Sequence, residues 1–242
     1  MCEQNSNEQR LSIPIIILLG LMPGLVILFW AFVFSSPFFG INFSIVLSLM
    51  LAIILGLIPT ELGILKYIAK KENKKIKDLI LYKNKTPKLR MFLSIIVSFI
   101  ILGLAFSLIP PYELKLWKIF DFVPDWFRLE RTNMQEIKYL KITVILAFIF
   151  NGFLGPIVEE IYFRGYLLPR MGVFGKFSPL MNSILFSLYH FFTPWQNITR
   201  IVACTPMAYS VWINKDIKIG IIVHCSGNLV GVVGMLQLLL SM

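Results

Sequence analysis

Charged and chemically reactive side chains are scarce in this chain of 242 residues. Only 15% of the residues are Asp, Glu, Lys or Arg, and the only histidines are His190 and His224. The three cysteines, Cys2, Cys204 and Cys225, form neither a CxxC sequence nor a paired framework, so neither disulfides nor a thiolate metal site is indicated. The sequence also has no HExxH motif and no internal repeat, and no cleavable signal peptide is predicted at its start.

Long apolar segments make up most of the sequence. Hydrophobic residues account for 57% of the chain and the mean hydropathy is +0.77, which indicates a polytopic membrane protein. Lipid offers no hydrogen-bond partners to an exposed backbone, so each apolar segment must be a helix. The predicted fold is therefore all-α, a transmembrane bundle of seven to eight helices. The predicted spans are Ile13–Phe34, Ile41–Leu65, Met91–Ile109, Tyr139–Met171, Pro179–Phe192, Ile198–Ile213 and Ile217–Leu240.

Basic residues are concentrated beside the membrane and give the chain a net charge of +10. Residues 66–90 hold ten Lys or Arg against two acidic residues, which predicts a cytoplasmic loop. Anionic lipid headgroups, rather than nucleic acid, are the expected partner of this charge. The N-terminus is then cytoplasmic, in a multi-pass protein of a prokaryotic-type plasma membrane. An inverted orientation is the alternative.

The predicted organisation has three parts. Residues 1–12 form a polar cytoplasmic leader, residues 13–109 form N-terminal membrane helices with the basic loop, and residues 110–242 form a membrane core. Within that core the fourth span is unusually long, and Gly152, Gly155 and Pro156 predict a kink or break in it.

Two carboxylates occupy the middle of this fourth span, in the sequence Glu159-Glu160-x-x-x-Arg164. Charges at membrane depth cost several kcal/mol, so an acidic pair there indicates function. Residues four apart share a helix face, so we expect Glu160 and Arg164 to pair. Glu159 points about 100° away from Glu160. The charge of Glu160 is thus expected to be balanced by Arg164, and Glu159 is expected to be free to react.

Both histidines fall in other predicted spans. Glu160 and His190 lie 14 and 16 residues from the turn at Phe174, so each is roughly 20 Å from that turn and they can face each other. His224 is predicted to lie on the order of 9 Å from the loop that ends at Lys218. It can still meet Glu160 and His190 if the hairpin that turns at Phe174, called the first hairpin, tilts or projects beyond the bilayer. His224 and Asn228 are four apart and share a helix face.

Three short motifs in this region together resemble those of one protein family. They are Glu159-Glu160-x-x-x-Arg164, Phe186-x-x-x-His190 and His224-x-x-x-Asn228. In order and spacing they resemble the motifs of the CAAX-protease and bacteriocin-processing (CPBP, or Abi) family of intramembrane proteases, which includes the type II CAAX prenyl endopeptidase of the endoplasmic reticulum. The resemblance covers roughly residues 150–234.

The resemblance implies a bundle of about eight helices around a cavity that opens toward the cytoplasm. It also implies that Glu159 and His190 activate water, that His224 and Asn228 stabilise the oxyanion, and that Glu160 and Arg164 support the site. The implied activity is hydrolysis of a peptide bond near the cytoplasmic membrane face. The substrate would be a peptide or protein, possibly lipidated or membrane-bound, and no cofactor would be needed.

Other interpretations remain open. Glu159, His190 and His224 could instead form a His2Glu zinc site with an open position for water. A non-catalytic relative could bind a peptide or membrane protein, for example as a bacteriocin-immunity protein. A transporter could use the same residues as a proton relay. Taken singly, the Glu160–Arg164 pair and each histidine could also be packing features of a helical bundle.

Overall fold

A computed structural model describes residues 10–129, 132 and 138–241 of the chain. Apart from short 3₁₀ turns, the described residues form nine helices and no β-strand, which confirms the predicted all-α fold. In chain order the helices are α1 (Ile13–Ser35), α2 (Ile45–Lys71), α3 (Ile76–Leu79), α4 (Lys88–Leu108), α5 (Pro110–Trp117), α6 (Leu140–Arg170), α7 (Ser178–Leu188), α8 (Asn197–Asn214) and α9 (Ile217–Leu240). Most of the predicted leader, residues 1–9, lies outside the described residues.

Five of the described helices, α1, α2, α4, α6 and α9, are long and apolar enough to cross a membrane, as expected of an integral membrane protein. The predicted spans Pro179–Phe192 and Ile198–Ile213 are not among them. Helix α7 has 11 residues and extends only about 16 Å, roughly half of a hydrocarbon core. Helix α8 has 18 residues, and the polar residues along it lower its hydropathy. An eighth substantial helix, α5, occupies the stretch after α4.

Helix α6 runs without a break from Leu140 to Arg170, and the kink or break predicted at Gly152, Gly155 and Pro156 takes the form of an irregularity within this continuous helix. The irregularity is taken up by two π-helical stretches, Ala147–Leu154 and Glu160–Leu167, on either side of a five-residue α-helical piece. Proline has no N–H to donate to the preceding turn, and the wider turn before Pro156 accommodates that loss. The second π-helical stretch begins at the acidic pair, and such turns often mark functional sites.

The basic loop and the turns before α1, after α6 and between α8 and α9 lie at one end of the bundle. Leu11 donates its N–H to the Arg170 carbonyl at 3.1 Å, and the Arg170 side chain donates to the carbonyl of Leu79. Buried Asp216 accepts hydrogen bonds from both the backbone and the hydroxyl of Thr86. This end, called the basic end below, brings together segments that are far apart in the sequence.

At the opposite end, helix α5 completes the start of α8. The Glu113 side chain is 2% exposed and accepts the N–H groups of Ile198 and Thr199 at 2.8 and 3.2 Å, and also the Thr199 hydroxyl. The first N–H groups of a helix have no partner within it, so this distant carboxylate acts as their cap. Helix α8 therefore runs from this end to the basic end.

Candidate active site

Four helices, the connection after α7 and Leu129 surround a cavity of about 320 Å³ inside the bundle. Most of its wall is apolar and comes from α1, α2 and the later part of α9. Its polar residues come from α6, from the connection after α7 and from α9. They are Asn151, Glu159, Tyr189, His190, His224 and Asn228. The structure thus brings the four residues of the predicted catalytic set to one cavity.

Glu160 and Arg164 form the expected pair one turn apart on α6. Arg164 Nη1 lies 3.0 Å from Glu160 Oε1, and both side chains are fully buried. The guanidinium also lies over the ring of Phe186, 4.1 Å from its centroid. A buried charge is tolerated only with such compensation, so the pair and the aromatic face stabilise each other within the membrane.

The His224 ring lies between the two carboxylates. Its Nδ1 donates to Glu160 Oε1 at 2.9 Å, while its Nε2 lies 3.7 Å from Glu159 Oε2. Gly220, one turn earlier on α9, makes this approach possible, because a Cβ there would overlap Glu160 Oε2. Glu160 therefore has a second task beyond pairing with Arg164: it orients the imidazole.

Glu159 lines the cavity and has a hydrogen-bond partner there. Its side chain is largely buried, and its Oε1 accepts a hydrogen bond from the Tyr189 hydroxyl. Its Oε2 faces His224. The two oxygens of this carboxylate therefore have different surroundings: one is held by a phenol, and the other faces an imidazole and the cavity.

His190 lies on the connection after α7 rather than inside a helix, because α7 ends at Leu188. Its Nδ1 donates to the Phe186 carbonyl at 2.7 Å. Between His190 and Glu159, both within the described residues, the structure shows no direct hydrogen bond or ion pair. Both side chains line the same cavity.

Arg200 of α8 holds this connection in place. It donates to the carbonyls of Ser187 and Thr193 at 3.2 and 2.7 Å, and also to the Thr193 hydroxyl. Carbonyls at a helix end have no partner within the helix, and irregular backbone at membrane depth must be satisfied inside the protein. Arg200 meets both needs and fixes the segment that carries His190.

Asn228 lies one turn after His224 on α9. Its amide donates to the Asn151 carbonyl of α6 at 2.8 Å. A side-chain amide has two N–H donors, so one of them orients the group while the other can serve a ligand in the cavity. The contact also ties α9 to the first π-helical stretch of α6.

The predicted zinc alternative would use Glu159, His190 and His224 as ligands. Among the described residues, no three His, Cys, Asp or Glu side chains are placed to hold one metal ion. One ring nitrogen of His190, Nδ1, is already engaged by the Phe186 carbonyl.

Two residues near the site were missed by the sequence analysis. Tyr189 occupies a variable position of the motif that ends in His190, so no pattern singled it out. Glu61 of α2 is fully buried, and neither of its oxygens has a hydrogen-bond partner among the described residues. It interacts electrostatically with Glu159 and Arg164. Glu61 is a charge within the second predicted span, and the rule that singled out Glu159 would have found it.

Comparison with known protein families agrees with this geometry. The cavity lies in a bundle with membrane-spanning helices, and its wall carries one carboxylate, two imidazoles and two side-chain amides. Residues 141–230 match the family model of the Rce1-like type II CAAX prenyl endopeptidases, which confirms the resemblance to the CAAX-protease family. The matched segment contains all six predicted site residues. No curated protein and no solved structure matches the chain.

Proposed function

We propose that this protein is an endopeptidase that hydrolyses a peptide bond inside the membrane with water activated by Glu159. The observation that carries this proposal is the environment of the Glu159 carboxylate. It is largely buried, one oxygen is fixed by Tyr189, and the other faces a mostly apolar cavity beside His224. A carboxylate that is held in place and faces the cavity is suited to act as a base, because a general base must be within hydrogen-bond reach of the proton that it takes.

In the proposed reaction a water molecule lies between Glu159 and His190. Glu159 Oε2 takes a proton from the water as its oxygen attacks the carbonyl carbon. The proton then passes to the leaving amine when the C–N bond breaks. The products are a carboxylic acid and an amine, and Glu159 is ionised again at the end of the cycle.

His224 and Asn228 stabilise the negative oxygen that forms during the attack. Asn228 offers the amide N–H that Asn151 does not use. His224, with its Nδ1 proton on Glu160, must carry a second proton on Nε2 to donate to the oxyanion. Preorganised donors of this kind contribute about 3–4 kcal/mol each in other hydrolases.

The wall of the cavity indicates the chemistry of the substrate. Most of the lining is contributed by apolar residues such as Ile27, Leu49, Met50 and Ile53, so the bound segment is proposed to be apolar. A peptide near a membrane-embedded or lipidated end has that character. The site is proposed to face the cytoplasm with the basic end, since clustered lysines and arginines favour that side.

Profiling of peptide termini in native membranes tests the function directly. Membranes that contain wild-type protein are expected to show new N- and C-termini that are missing with Glu159→Ala. The sequences around those termini would identify the substrate class. If the termini are the same and Glu159→Ala still restores the phenotype of a deletion strain, the peptidase proposal fails and a binding or immunity role is favoured.

We expect cleavage to survive removal of metal ions, because the proposed base and oxyanion donors are all side chains. Purified enzyme would be dialysed against EDTA and 1,10-phenanthroline and then assayed with the substrate found by profiling. The expected rate equals that of enzyme dialysed against buffer. A loss of activity that added zinc restores would contradict the metal-free mechanism and favour the zinc alternative.

A further inference from the structure

Tyr189 is the hydrogen-bond donor to the proposed catalytic base. Its hydroxyl donates to Glu159 Oε1, across 30 residues of sequence. The side chain is 1% exposed and lies on the wall of the cavity. Neither the motifs nor the family match assigns it a role.

The phenol of Tyr189 is held firmly by its surroundings. Its ring centroid lies 5.2 Å from that of Phe163, 5.4 Å from that of Phe186 and 4.3 Å from that of His190. The backbone of Tyr189 packs directly on Gly24 of α1, where a Cβ would overlap the Tyr189 carbonyl oxygen. These contacts fix the orientation of the hydroxyl, and the close approach of α1 contributes to it.

A carboxylate without such a contact could rotate and present either oxygen to the cavity. With Oε1 bound to the phenol, Oε2 is the oxygen that faces His224. We propose that Tyr189 is a positioning residue that holds Glu159 so that Oε2 receives the proton of the attacking water. This inference rests on the proposed function and extends it to a residue outside the three motifs.

The test compares Tyr189→Phe with Tyr162→Phe in the full-length protein. Both variants lose one buried phenol hydroxyl and keep the ring. Tyr162 is fully buried on α6, but its hydroxyl donates to the Leu19 carbonyl at 2.8 Å and does not contact Glu159. It therefore reports what the loss of a buried hydroxyl does to the fold alone.

We expect Tyr189→Phe to lower kcat by about 10- to 100-fold, as for loss of a hydrogen bond to a charged group. KM is expected to stay within about twofold, because the contact serves the reacting group rather than substrate binding. Tyr162→Phe is expected to keep the wild-type kcat. Wild-type kinetics in Tyr189→Phe would overturn the positioning role even if Glu159→Ala is inactive.

A spectroscopic measurement separates this inference from the proposed function. The infrared band of the Glu159 carboxyl group is identified by its disappearance in Glu159→Gln. That band is expected to shift in Tyr189→Phe and to stay unchanged in Tyr162→Phe. If the wild type cleaves nothing, the peptidase proposal fails, but the shift would still establish that Tyr189 holds this carboxyl group. An unshifted band overturns the inference.

Discussion

Glu159→Gln is expected to lower the rate of peptide cleavage by about 10²- to 10⁴-fold, the usual contribution of a general base. The substitution keeps the size of the side chain and an oxygen that can still accept the Tyr189 hydroxyl. It removes the group that takes the proton from water. The fold should therefore survive, and the loss should appear in kcat measured on purified protein with the substrate identified by profiling.

Glu72→Gln is the matched control for this experiment. It is the same chemical change at an exposed carboxylate that pairs with Lys74 at the basic end. Its kinetics and its thermal unfolding should equal those of the wild type. If Glu159→Gln keeps more than about a tenth of the wild-type rate, Glu159 is not the general base.

Gly220→Ala is expected to lower kcat/KM by about 100-fold, although residue 220 does not line the cavity. An added Cβ would overlap Glu160 Oε2 and lie 3.1 Å from its Cδ. The carboxylate would have to move, and His224 and Arg164 would move with it because both contact Glu160 Oε1. Displacements of about 1 Å in a catalytic group can cost about 100-fold in rate. Steady-state kinetics would measure the effect.

Gly234→Ala lies on the same helix and provides the control. Apart from its own stretch of helix backbone, no described residue has an atom within 4 Å of the position that its Cβ would take. Alanine favours a helix over glycine by about 1 kcal/mol, so this variant should be as stable as the wild type or slightly more so, with unchanged kinetics. Wild-type kcat/KM in Gly220→Ala would show that the position of Glu160 does not matter for cleavage.

The sequence was informative wherever a local rule applied. The spacing of Glu160 and Arg164 predicted their pairing, because residues four apart share a helix face. The apolar segments predicted the membrane helices, and α9 begins and ends at the predicted residues. The residue spacings also indicated that Glu160 and His224 could meet if the first hairpin tilted or projected beyond the bilayer, and the structure brings them within 2.9 Å.

Features that depend on contacts between distant segments could not be predicted. The end of α7 at Leu188 depends on Arg200, which binds carbonyls on both sides of the connection. The bond from Tyr189 to Glu159 depends on how closely α1 approaches at Gly24. Periodicity describes one helix at a time, so it predicted an uninterrupted span across His190 and no role for Tyr189.

The hydrogen bonds from Thr86 to Asp216 have a consequence for the order in which the chain assembles. These residues are separated by 130 positions, and Glu160 and His224 by 64. Because synthesis proceeds from the N-terminus, Glu160 is made well before its imidazole partner. His224 and Asn228, the proposed oxyanion donors, reach the site only when α9 is inserted and the turn before it docks against the basic loop. By the proposed mechanism, a ribosome-bound chain that lacks α9 would be unable to cleave a peptide, and cleavage would begin only after α9 has joined the bundle.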